Sequence, residues 1–131
     1  MRTRSHAPGS MPGPVGNYSL GLEIPAGSRT LFISGQIPET LNGEIPQAFE
    51  DQCHLVWDHI LAILESAGMS AANLVKVTTF LTRREDAEAN SRIRRERLGS
   101  HAPALTVVVA QTLDPRWLLE IEALAAAEDG G

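Results

Sequence analysis

The chain has 131 residues, enough for one domain with a core of its own. Acidic residues outnumber basic ones and leave a formal net charge of −5, which argues against a nucleic-acid binder that works by neutralising phosphates and against a polybasic membrane module. No apolar run reaches the length of a membrane span, and Arg2 and Arg4 are followed by no apolar stretch of the kind a signal peptide carries.

The lone cysteine, Cys53, rules out an intrachain disulfide and points to the reducing cytoplasm. Residues 1–14 are rich in Pro, Gly and Ser without periodicity and read as a flexible lead-in to a single domain over 15–127. YSLGLEI (18–24) and SRTLFISG (28–35) alternate, with PAG (25–27) as a turn between them, and predict a β-hairpin. Asn42-Gly43 marks a further turn. Residues 45–68 carry Phe49, Cys53, Val56, Ile60, Ile63, Leu64 and Ala67 at helical spacing, with Pro46 suited to a first turn and Gly68 to a stop. LVKVTTFLT (74–82) is a β-branched strand. Residues 85–99 predict a second helix with Ala87, Ile93 and Leu98 inward. Residues 104–111 and 117–125 predict two last strands joined by a tight turn.

The order ββαβαββ is α+β, with two helices on one face of a sheet. Both faces of the last strands carry apolar residues, Trp117, Leu119 and Ile121 alternating with Leu118 and Leu124. Helices cover only one face, so the other is expected to be covered by further copies of the chain.

Candidate chemistry is sparse. His54 and His59 are five residues apart, which does not stack them on a helix, and no Cys/His set has metal-site spacing, so no metal is expected. Cys53 lies on an apolar stripe and reads as a buried, inert thiol. There is no nucleophile elbow, phosphate loop or dinucleotide fingerprint. Arg83, Arg84, Arg92, Arg94, Arg95 and Arg97 interleave with Glu85, Asp86, Glu88 and Glu96 and read as a solvated helix face rather than an RNA-binding patch. Glu120 and Glu122 are two carboxylates on one face of an apolar strand. Such groups are costly unless hydrogen-bonded, ion-paired or placed in a cleft.

From Val15 to Ala125 the sequence resembles the Rid/YjgF (RidA) family of reactive-intermediate deaminases. The resemblance rests on GNY (16–18), SGQIP (34–38), GEIP (43–46), ILESAG (63–68), LVKVTTFL (74–81), Asn90, Pro103-Ala104 and LEIEALA (119–125). It implies a chorismate-mutase-like α+β fold, a homotrimer with sites between subunits, and cofactor-free hydrolysis of enamines or imines such as 2-aminoacrylate and 2-iminopropionate. By that resemblance Tyr18 walls the site, Ser34 and Gly35 form the loop approaching the ligand, Asn90 stands behind it, and Glu120 orients or activates water. The sequence departs from the family pattern at Asn17, where a proline is usual, and at Leu105, where deaminating members carry an arginine that clamps the substrate carboxylate. Leucine offers neither charge nor donor, which puts the usual 2-iminoacid activity in doubt. Arg116 shares the strand parity of Glu120 but lies four residues away, roughly 13 Å along a strand. The expectation is a trimeric small-molecule protein acting on imines, enamines or related reactive intermediates, with no nucleic-acid or membrane partner. The alternatives are a non-catalytic ligand-binding or regulatory trimer and, more weakly, a ribonuclease or translation inhibitor.

Overall fold

The computed structural model describes residues 2–129. Its strands are β1 (Arg4–His6), β2 (Gly21–Glu23), β3 (Arg29–Gln36), β4 (Leu74–Leu81), β5 (Ala104–Val109) and β6 (Leu119–Ala127), and its helices are α1 (Phe49–Ser66) and α2 (Ala87–Leu98). The four-stranded sheet has the order β3-β6-β4-β5, and β1 pairs with β2 in a separate ribbon. The α+β class agrees with the sequence, and so does the run ββαβαββ from β2 onward, but Arg4–His6, expected within a flexible lead-in, is an added paired strand. Three pairings differ from the expectation.

The expected hairpin of 18–24 with 28–35 does not form. β2 pairs with Arg4–His6, from the expected lead-in, and His6 Nε2 meets Glu23 Oε1 at 2.8 Å across the ribbon. β3 pairs antiparallel with β6. The last two strands are not neighbours either. β5 runs parallel to β4, with α2 as the crossover that a parallel pair requires. β6 is inserted between β3 and β4. The division follows burial. Leu119, Ile121, Ala123 and Ala125 give β6 a fully apolar face for the sheet centre, whereas Val107, Val108 and Val109 of β5 are all partly exposed, as suits an edge.

The core lies between the sheet and the helices. Phe49, Cys53, Val56, Ile60 and Leu64 of α1, as read from the sequence, join Trp57 in it, facing Ile33, Val77, Leu81, Leu119 and Ile121. α1 starts at Phe49, after Pro46 rather than with it in the first turn. It ends at Gly68, whose φ of 71° lets the Gly68 and Met69 N–H groups return to the Glu65 and Leu64 carbonyls. On α2, Ile93 and Leu98 are inward as expected but Ala87 is exposed. The arginine-rich face is not uniformly solvated, because Arg94 and Asp86 are buried. Arg92 pairs with Glu50, and Arg97 with Asp58 and His54, which ties α2 to α1.

The other face of the sheet has no helix. Phe32 stands there 77% exposed, beside a shallow cavity of about 370 Å³ lined by Ser34, Lys76, Thr78, Glu122 and Leu124.

Candidate functional site

The pairing of β3 with β6 slips at one point. Ile33 is opposite Ala123 and Gln36 opposite Ile121, so Ser34 and Gly35 bulge against Glu122 alone. The bulge brings Gly35 beneath the neighbouring carboxylate. A Cβ on residue 35 would overlap Glu120 Oε2 and would come within 2.9 Å of Cδ and 3.0 Å of Cγ. Gly35 has no positive φ, so the glycine serves space and not backbone conformation. Ser34 is exposed beside it, its carbonyl accepting from Gln36 Nε2 at 3.0 Å. Glu120 is half-buried, on the face of β6 away from the helices, opposite Phe80 of β4. Among the described residues no side chain or backbone N–H bonds to its carboxylate.

The other residues singled out by the sequence lie apart from this group. Leu105 is opposite Val77 in the parallel pair and packs against the core, so it is on the sheet face opposite Glu120. Tyr18 is placed near the start of β5. Ser19 bridges to Ala104, with its N–H on the Pro103 carbonyl and its hydroxyl on the Ala102 carbonyl, and Asn17 Nδ2 donates to the Gly99 carbonyl. The Tyr18 hydroxyl accepts from the Val15 N–H. Asn90 is buried on α2, and its Oδ1 has no partner. One chain thus gathers Ser34, Gly35 and Glu120 on the outer face, while Leu105 lies on the other face of the sheet, Tyr18 beside the start of β5 and Asn90 on α2.

Gln52 is a positioning residue that the sequence pattern did not reveal, since it sits beside Cys53 on a stripe defined by apolar residues. Wholly buried, it donates from Nε2 to the Pro46 and Arg116 carbonyls at 2.7 and 2.9 Å and accepts the Leu118 N–H at 2.8 Å. It fixes the entry to β6 two residues before Glu120, at the floor of a cavity of about 550 Å³ beside Arg83 and Arg116. Arg116 is held away from Glu120 by Asp114, which takes its Nε and Nη2 at 3.1 and 2.7 Å, and these hydrogen bonds hold the Asp114 carboxyl at about 2. Cys53 is fully buried. Burial pushes its thiol up to about 12, against the pull of Arg97, Arg92 and Arg94.

Among the described residues no helix is long and apolar enough to cross a membrane. A family model described as endoribonuclease L-PSP matches residues 8–127. RutC family protein PH0854 of Pyrococcus horikoshii is 39% identical over 119 residues, 89% of this chain and 92% of that protein. The crystal structure of YyfB from Yersinia pestis, of the conserved Rid protein family, is similar at a TM-score of 0.84 and 28% identity, over 97% of this chain and 100% of the other. Escherichia coli TdcF, named as a candidate reactive intermediate deaminase, has a crystal structure with bound serine. It matches at a TM-score of 0.71 and 32% identity, over 95% of this chain and 99% of its own. With the family model spanning nearly all of the sequence and these relatives agreeing in fold, the chain belongs to the Rid/YjgF family.

Proposed function

We propose that the protein hydrolyses imines, and the enamines that tautomerise to them, with Glu120 as general base. What carries the reading is a carboxylate with no ion pair or hydrogen bond among the described residues, seated over a glycine that leaves room for it. Within reach of solvent and with its oxygens not taken up by the protein, it is left available to water or a ligand. An unpaired carboxylate beside open backbone at a bulge can take a proton from water.

In the reaction Glu120 removes a proton from water as the water oxygen bonds to the carbon of the imine, which has been protonated by solvent to the iminium. Glu120 then gives that proton to the carbinolamine nitrogen, the C–N bond breaks to release ammonia, and the carbinolamine hydroxyl proton passes back through Glu120 to solvent as the carbonyl compound forms. Ser34 and the backbone beside Gly35 orient polar atoms of the substrate, and Tyr18 and Leu105 form a wall.

One chain holds Glu120, Ser34 and Gly35 on one face of its sheet, Leu105 on the other, and Tyr18 and Asn90 outside the sheet. The cleft therefore takes Glu120, Ser34 and Gly35 from one subunit and Tyr18, Leu105 and Asn90 from the next, in a homotrimer built on the helix-free sheet face where Phe32 is exposed. The test is ammonia release from imines generated in situ. The reading expects catalysis by the wild type, little by Glu120→Gln, and a particle of about three chain masses by light scattering. A monomer that catalyses the reaction fully would refute the shared cleft.

A further inference from the structure

Glu120 stands beside an aromatic ring that the hydrolytic scheme does not use. On β4 the residues turned toward the helices, Val77, Thr79 and Leu81, are buried, and Lys76, Thr78 and Phe80 alternate with them on the other face. Phe80 is directly opposite Glu120 in the antiparallel pair of β4 with β6, which sets their Cβ atoms about 5 Å apart. Phe80 is half-buried and lies outside the hydrophobic core. Carboxylate and ring therefore share one surface that no helix covers.

The charge around this pair is negative. Glu122, next on the same face of β6, is exposed and opposite Thr78. Among the described residues neither Glu120 nor Glu122 has an ion pair. Lys76 shares the face but is four residues from Phe80, roughly 13 Å along the strand, and its Nζ donates to Thr106 Oγ1 at 2.6 Å. Arg116, ahead of β6, is forked onto Asp114. The residues that the next subunit is proposed to bring, Tyr18, Leu105 and Asn90, carry no charge. A carboxylate beside an aromatic ring holds an organic cation from two sides, the carboxylate by its charge and the ring by its negative face. The same carboxylates repel an acid group on the ligand.

We infer that the site selects organic cations without a carboxylate, with an iminium or ammonium group held between the Glu120 carboxylate and the Phe80 ring. In the hydrolytic scheme that group is the protonated imine, and the neutral carbonyl product no longer has the charge that held it. The inference rests on the site of the hydrolase reading, but it concerns binding, and the two are separable.

Calorimetric titration with isobutylamine, valine and isobutanol tests it on the wild type, Glu120→Gln, Phe80→Leu and Phe80→Tyr. Valine is isobutylamine with a carboxylate added beside the nitrogen, and isobutanol keeps the carbon frame without the charge. The wild type is expected to bind isobutylammonium at least about tenfold more tightly than either of the others. Glu120→Gln should lose that preference. Phe80→Leu keeps an apolar side chain without the ring. It should weaken isobutylammonium about two- to fivefold, the scale of a partly exposed cation–ring contact, and leave isobutanol unchanged. Phe80→Tyr should bind as the wild type does. Phe80→Met, also without a ring, stands in for Phe80→Leu if that chain does not fold. No binding of isobutylammonium by the wild type, or valine bound as tightly, overturns the assignment. So does a Glu120→Gln protein that keeps the preference, or a ring-free variant that binds isobutylammonium as the wild type does or loses isobutanol to the same extent. Turnover without cation preference leaves the hydrolase standing and this inference refuted. Cation preference without turnover does the reverse.

Discussion

Glu120 occupies the space that a side chain on residue 35 would fill, with Cδ 2.9 Å and Cγ 3.0 Å from where that Cβ would lie. Gly35→Ala must therefore turn the carboxylate away or push the bulge off β6. The glutamate side chain is the softer of the two, so the variant should fold with a loss of about 1–3 kcal/mol. Its kcat should fall roughly 100-fold, as expected when a reacting group is displaced by about an ångström. Thermal melting and steady-state kinetics on the same preparation would separate these effects. An Ala variant with wild-type kcat would show that the carboxylate position does not matter.

Gln52 stitches the segment before α1 to the entry of β6 through three hydrogen bonds. Gln52→Leu keeps the volume but strands the Leu118 N–H and two carbonyls. The expected cost is about 1–3 kcal/mol for the buried donor alone, read in urea unfolding, together with a lower kcat because Glu120 follows two residues later. Full stability in this variant would mean that the loop finds other partners.

The Cys53 thiol, ordinarily near 9.0, is raised to about 12 by burial. The folded state therefore holds a proton that the unfolded chain gives up above pH 9. This contribution to stability is intact below the ordinary thiol range and is lost as pH rises toward the folded value. Melting temperatures from pH 7 to 11 should fall more steeply for the wild type than for Cys53→Ala, and the native thiol should resist modification at pH 8. Equal slopes for the two proteins would contradict this.

Phe32 stands on the helix-free sheet face, 77% exposed in the single chain. If subunits meet there, Phe32→Glu places a charge in an apolar contact and should yield monomers at micromolar concentration, with turnover lost alongside. Light scattering after size exclusion reads this directly. A trimeric Phe32→Glu would place the subunit contact elsewhere.

The sequence carried the elements better than their partners. α1 and β4 were legible because burial imposes a period on each, with Cys53, Val56, Ile60 and Leu64 on one helix stripe and Val77, Thr79 and Leu81 on one strand face. Pairing is set by contacts distant in sequence. PAG after residues 18–24 looks like a hairpin turn, but the centre of the sheet went to β6, whose run of small apolar residues fits between two neighbours. Glu120 was conspicuous as a carboxylate in an apolar strand. The purpose of Gly35 was not, since its role is room for a side chain 85 positions away.

Ammonia release by the wild type and Glu120→Gln, measured on imines formed in situ with the uncatalysed hydrolysis subtracted, tests the central claim most directly. The substitution keeps the shape over Gly35 and removes the base. The account predicts a kcat lower by about 100- to 10,000-fold, with melting temperature and trimer mass unchanged. A Glu120→Gln protein as active as the wild type, or a wild type no faster than the uncatalysed reaction, would contradict it.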